Sequence, residues 1–329
     1  MGWAGPFPTI PAVATEALVP ERAGELLARL EDNVHRVIVG KDATVRLAVT
    51  GLVAGGHVLL QDLPGTGKTM LARALATSIE GSFRRIQCTP DLLPADITGA
   101  SVFNQRDLTF EFLPGPVFAN IVLADEINRA TPRTQSALLE AMGEGQVTVE
   151  GTTHVLDKPF SVVATQNPAE FQGTYPLPES QLDRFLLAAE MGAPTTAEAL
   201  EVLARREHGD PFQDLRPVLQ LVEILELQAA CLRVVVAPAI RSYVVSLLEA
   251  IRSRQEVLLP ASMRAAVYLQ RAAQGWALFD GRDFVLPDDV KALAVPVLSH
   301  RLALRGRLRG EDLIAEIVEQ VPLPPLRST

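Results

Sequence analysis

The chain is poor in several things, and each shortage closes a route. It has two cysteines in 329 residues, Cys88 and Cys231, far apart and in no C-x-x-C arrangement. That argues against a disulfide framework or a zinc site and fits a reducing, cytoplasmic setting. Its five histidines are scattered, as expected of surface or helix-end residues rather than metal ligands. Basic residues are outnumbered, 30 Lys plus Arg against 39 Asp plus Glu, for a net charge of −9. A non-specific grip on nucleic acid or anionic membrane is therefore not expected as the main activity. With no separate DNA-binding module or basic stripe in the sequence, no specific nucleic-acid binding is expected either. The longest charge-free apolar run, Leu47 to Leu60, is too short and too glycine-rich to span a bilayer, so no membrane insertion is expected. Residues 1–20 have no basic n-region and are broken by Pro6, Pro8 and Pro11, unlike a signal peptide. Met1-Gly2 would suit myristoylation, but Pro6 stands where Ser or Thr is needed. A flexible tail is expected there.

What is present is the material of a soluble globular chain, 48% hydrophobic and 21% charged. At about 150 residues per domain, the length predicts two domains. The most informative stretch is Leu59 to Thr69, Leu-Leu-Gln-Asp-Leu-Pro-Gly-Thr-Gly-Lys-Thr. An apolar run stops at a Pro/Gly-rich loop, and Lys68 and Thr69 open an apolar-periodic segment through Ile79. A loop between strand and helix wraps phosphate with backbone N–H groups, helped by the partial positive charge of the helix N-terminus. Pro64, Gly65, Thr66, Gly67 and Met70 are the candidate cradle. Lys68 would reach the β- and γ-phosphates, and the Thr69 hydroxyl would ligate Mg²⁺. Asp62 stands where the template G-x-x-x-x-G-K-[ST] has its first glycine.

Upstream, apolar spacing predicts helices over Glu21–Val37 and Lys41–Ala54. Val39 and Gly40 between them are candidates for contact with a nucleotide base or for a plain helix C-cap. Downstream, Phe83–Cys88 reads as a short buried strand, Asp91–Gly99 as a helix start, and Val102–Phe112 as a hairpin. Ile121 to Ala124 run into Asp125-Glu126, a buried strand delivering two acids at its carboxyl end. Alone, that pair is a solvated turn. After a Gly-Lys-Thr loop, Asp125 is a candidate for the Mg²⁺ shell and Glu126 for polarising the attacking water. Pro132 opens a helix through Met142, Gly145–Leu156 reads as a second hairpin, and Phe160–Thr165 as another buried strand ending at Gln166-Asn167-Pro168. Asn167 can orient water beside a γ-phosphate or simply make an Asn-Pro turn. Arg184 precedes a last strand, Leu186–Met191. From Ala193 the period becomes helical, over 196–206, 219–232, 239–252, 262–277 and 288–302, which predicts a second, all-helical domain.

In that order, the loop, Asp125-Glu126, Asn167, Arg184 and the helical region make the chain resemble the AAA+ ATPases. More narrowly it resembles the MoxR family, over nearly everything past residue 20. The likeness is carried by Leu92-Leu93-Pro94-Ala95-Asp96-Ile97-Thr98-Gly99, Phe112-Leu113-Pro114-Gly115-Pro116 and Ala124-Asp125-Glu126-Ile127-Asn128-Arg129-Ala130. Further on it rests on Gly173-Thr174-Tyr175-Pro176-Leu177-Pro178-Glu179, Gln181-Leu182-Asp183-Arg184-Phe185 and Pro287-Asp288-Asp289-Val290-Lys291-Ala292-Leu293. The resemblance implies an α/β fold: a P-loop AAA+ core of five parallel strands over 21–195, with hairpin inserts, and a helical lid over 196–329. It implies ATP and Mg²⁺, a homo-oligomeric, usually hexameric ring, and hairpins facing the ring pore or a client. Arg184 would be the arginine finger reaching a neighbour's γ-phosphate, and Arg264 the lid's sensor arginine, although Met263 stands where the family commonly has Pro. Arg129 and Arg133 would be further trans-acting groups or exposed helix charges. The implied activity is ATP-driven, chaperone-like remodelling of partners, often ones with a von Willebrand factor type A domain. The alternatives are a chelatase-type motor subunit for metal insertion and a nucleotide-dependent scaffold that does not hydrolyse.

Overall fold

The computed structural model describes residues 17–167, 173–207 and 209–323. The expected tail lies outside them through residue 16, as do Pro168 and His208. Five parallel strands form the central sheet: β1 (Val58–Gln61), β2 (Phe83–Gln87), β3 (Ile121–Asp125), β4 (Ser161–Gln166) and β5 (Leu187–Ala189). Their order across the sheet is β5-β1-β4-β3-β2. Val163 therefore pairs with Val58 on one side and Leu123 on the other. β1, β3 and β4 are the continuous apolar runs that burial on both faces requires. β2 differs from expectation. It is an edge strand, with Arg84, Arg85 and Gln87 exposed and only Ile86 buried.

The pleat sorts neighbouring residues to opposite faces. Val58 and Leu60 join a core with helices α1 (Pro20–His35), α2 (Asp42–Val53) and α3 (Lys68–Thr77). Leu59 points the other way, to a second core with Val122, Val162, Phe185 and the apolar side of α4 (Pro132–Glu144). The first core runs without a break into the helices that follow: α6 (Leu221–Arg233), α7 (Pro238–Ser253), α8 (Met263–Phe279), α9 (Pro287–Leu298) and α10 (Gly310–Gln320). Helix α5 (Thr196–Glu207), which precedes them, has no buried residue.

The helical half is not purely helical. Val257–Leu259 pairs antiparallel with Ala303–Leu304, and Leu219–Gln220, expected as a helix start, pairs parallel with Ile79–Glu80. Helix α10 lies beyond the last segment that periodicity singled out. Both hairpins are present, Gly99–Asn104 with Thr109–Pro114 and Gln146–Val149 with Thr152–Val155. They meet where Phe112 stacks on His154, ring centroids 4.0 Å apart. No helix among the described residues is long and apolar enough to cross a membrane.

Candidate active site

The carboxyl ends of β1, β3 and β4 open on a cavity of about 370 Å³. It is lined by Pro64 to Met70 from the loop, Asp125 and Glu126 from the end of β3, Thr165 and Asn167 from the end of β4, and Arg85 and Gln87 from β2. Gly67 caps α3 at φ +96°, a left-handed conformation that a side chain would strain. Lys68 is folded back, its ammonium donating to the carbonyls of Asp62 and Leu63, each at 2.7 Å. Burial lowers its pKa, opposed by the carboxylates of Asp62, Asp125 and Glu126.

Asp125 is 5% exposed, and its carboxylate is saturated. The Thr165 hydroxyl donates at 2.6 Å, the Thr69 hydroxyl at 3.1 Å, and the Arg85 guanidinium through Nη2 at 2.6 Å and Nε at 3.1 Å. Glu126 sits at φ +57°, strained backbone for a residue with a side chain. Its N–H donates to the same Thr165 hydroxyl at 2.8 Å. Its carboxylate lies 3.1 Å from Arg129 and 3.5 Å from the Gln87 amide. Asn167 is 3% exposed, and neither its amide nitrogen nor its amide oxygen has a partner among the described residues. A buried amide left unpaired at the wall of a cavity costs free energy that a bound ligand or water recovers. Cys88, beside β3, has its thiol pushed up to about 12 by burial and then by Asp125 and Glu126, so it is not a nucleophile.

A second cavity of about 450 Å³ adjoins the first across Gly65, Thr66, Gly67 and Met70. Its walls are mostly apolar: Val37, Ile38, Val39 and Met191, with Ala199, Val202 and Leu203 from α5. Gly40, at φ +62°, sits between Val39 and Lys41 of this wall, and a Cβ there would lie 2.1 Å from Glu198 Oε1. That carboxylate pairs with Lys41 at 3.2 Å. The left-handed backbone is what favours glycine at 40; the Glu198 contact is with the movable end of a side chain.

Lys68, Thr69, Asp125, Glu126 and Asn167 thus line one cavity; Val39 lines its neighbour, and Gly40 stands next to Val39 in the chain without lining it. Arg184 and Arg264 line neither. Arg184 donates to the carbonyl of Leu139 near the end of α4, and Arg264 lies 3.6 Å from Asp183. Arg301, nearly fully buried, binds that same Asp183 at 3.0 Å. Sequence reasoning missed Arg85, Gln87, Thr165, Lys41 and Glu198. The alternation of Arg85 and Gln87 on a strand beside the acids was the available signal.

A strand-loop-helix phosphate cradle, two acids at the end of β3 and an adjoining, mostly apolar cavity define a P-loop ATPase of the AAA class. Residues 57–187 match the model of the "ATPase family associated with various cellular activities (AAA)", and 249–321 that of the "AAA lid domain". The chain is 39% identical to "Chaperone MoxR1" of Mycobacterium tuberculosis, across 99% of this chain and 89% of that one. It is 32% identical to "Protein MoxR" of Methylorubrum extorquens, across 90% and 95%. An uncharacterized Bacillus subtilis protein, YeaC, is 47% identical across 92% and 96%. The solved structure of a candidate ATPase from Cytophaga hutchinsonii superposes with a TM-score of 0.86 at 36% identity, covering 93% of this chain and 97% of that one. The chain belongs to the MoxR family of AAA+ ATPases.

Proposed function

We propose that the chain binds and hydrolyses ATP, with the base in the apolar cavity and the phosphates in the polar one. The observation that carries this reading is the single 370 Å³ cavity shared by Lys68, Thr69, Asp125, Glu126 and Asn167. Thr69 and Asp125 offer adjacent hard oxygens, and among the described residues no group of three or more His, Cys, Asp or Glu could hold a metal alone. That donor set fits Mg²⁺ shared with nucleotide phosphates rather than caged by protein. When bound, Mg²⁺ would neutralise charge on the phosphate oxygens.

The chain's own groups do the rest. Lys68 leaves the loop carbonyls for phosphate oxygens. The Glu126 carboxylate takes the proton of the attacking water, and the Asn167 amide, without a partner among the described residues, orients that water. Arg184, facing away from its own cavity, acts on a neighbouring subunit's γ-phosphate in a homo-oligomeric, hexameric ring, and Arg264 acts near the same junction through Asp183. Residues 21–195 form the ATPase core and 196–329 the lid. By analogy with the one relative named a chaperone, the activity is ATP-driven remodelling of partner proteins in the cytoplasm, including partners with a von Willebrand factor type A domain. The exposed Phe103 and Phe110, ring centroids 5.4 Å apart on the first hairpin, are suited to gripping a client.

The test is Glu126→Gln. Steady-state hydrolysis should fall by about 10² to 10⁴, the usual contribution of a general base, with ATP affinity unchanged. Wild-type turnover in that variant would refute the assignment.

A further inference from the structure

Both cations of the phosphate cavity are bound to the protein itself. Lys68 rests on carbonyls, which any phosphate can outcompete. Arg85 rests on Asp125, and that pairing is more specific. In the parallel register Gln87 lies opposite Asp125 and Arg85 opposite Leu123. Arg85 and Gln87 share a face of β2, so Arg85 reaches Asp125 on the diagonal. It presents two N–H groups to one oxygen, Oδ2, and Nη2 also donates to Gln87 Oε1 at 2.5 Å. The Thr69 hydroxyl lies 3.1 Å from that same Oδ2. The guanidinium therefore sits on the carboxylate, beside the hydroxyl, that together would hold a divalent cation.

Burial explains why something must be there. The Asp125 side chain is 7% exposed, and a buried carboxylate is costly without a positive partner. Resting on the ATP-binding reading above, we propose that Arg85 is a stand-in cation for Asp125, exchanged for Mg²⁺ when nucleotide binds. Arg85 and Mg²⁺ compete for one carboxylate. The displaced guanidinium, already half-exposed, is released to solvent. Arg85 is thus a positioning residue that sets how much Mg²⁺ the site requires.

The experiment is fluorescent ADP binding to the full chain, titrated with Mg²⁺. In Arg85→Gln the Mg²⁺ concentration for half-maximal binding should fall by about tenfold, the effect of removing one part-exposed charge-assisted competitor. Arg85→Lys, which keeps a cation without the fork, should fall between the two and serves as the second variant if the first is unstable. Binding in excess EDTA should not strengthen in either. An unchanged or higher Mg²⁺ requirement in a folded variant overturns the inference. If the wild type binds no ADP even with Mg²⁺, it is the nucleotide reading itself that fails.

Discussion

The two ends of the nucleotide site are built on opposite principles. At the phosphate end every charged group already has a partner: Lys68 its loop carbonyls, Asp125 its hydroxyls and Arg85, Glu126 its Arg129. Binding there exchanges one polar partner for another. At the base end the wall is mostly apolar, with Lys41 and Glu198 paired in it. Part of it is open, with Val202 42% and Leu203 64% exposed on a helix that buries none of its residues. Binding there removes apolar surface from water. The first kind of contact is directional and sensitive to salt, whereas the second is proportional to area and insensitive to it. On the proposed reading, one nucleotide is held by two different forces.

Lys68→Ala should separate the ends most sharply. Losing two charge-assisted contacts to phosphate is worth roughly 4 kcal/mol, about a thousandfold in ATP affinity. Adenosine, which lacks phosphate, should bind as before when both are measured by calorimetry. An equal loss for the two ligands would mean that the ends are not independent.

Acid should strike the scaffold beneath both ends. The His57 ring is buried, accepting from the Val162 N–H at Nδ1 and donating from Nε2 to the Met142 carbonyl, each at 3.0 Å. Burial lowers its pKa from 6.5 to about 4. The neutral ring therefore stabilises the fold fully above pH 6.5, and that stability is lost as pH falls from 6.5 towards 4. Its size is about 3 kcal/mol at 1.36 kcal/mol per unit. His300, buried and beside Arg301, is lowered in the same direction. Urea unfolding at pH 7 and pH 4.5 should show a larger drop for wild type than for His57→Gln. Equal slopes would remove His57 from the account.

Gly40→Ala should act from the base end. The new Cβ meets Glu198 at 2.1 Å on a left-handed backbone, a cost of about 1 to 2 kcal/mol. Adenosine affinity should fall by up to about tenfold on that scale, with pyrophosphate binding untouched. Weakened pyrophosphate binding would blur the division between the ends.

What could be read in the sequence follows the same division. The phosphate end is made of short contiguous motifs at strand ends, so Lys68, Thr69, Asp125, Glu126 and Asn167 could be named from spacing and strand order. Beyond the loop residues shared with the first cavity, the base end joins residues 37–41 to 191–211 across the core, and of these only Val39, with its neighbour Gly40, was named from sequence. Arg85 was missed because an edge strand shows one polar face that a reading as buried strand hides. The strands at Leu219–Gln220 and Ala303–Leu304 are two residues each, too short to leave a period.

Asp62 is the loop's one departure from the phosphate-loop template, an acid where the template has glycine. Its carboxylate accepts the N–H of Leu63 at 2.7 Å and, from far along the chain, the N–H of Gly192 at 2.6 Å. Gly192, at φ +68°, lies in the segment that leaves the last strand for the helical half. The side chain thus ties the root of the loop to the turn that leaves the last strand for the helices, a link from the sheet to the helical half that a glycine at position 62 would lack.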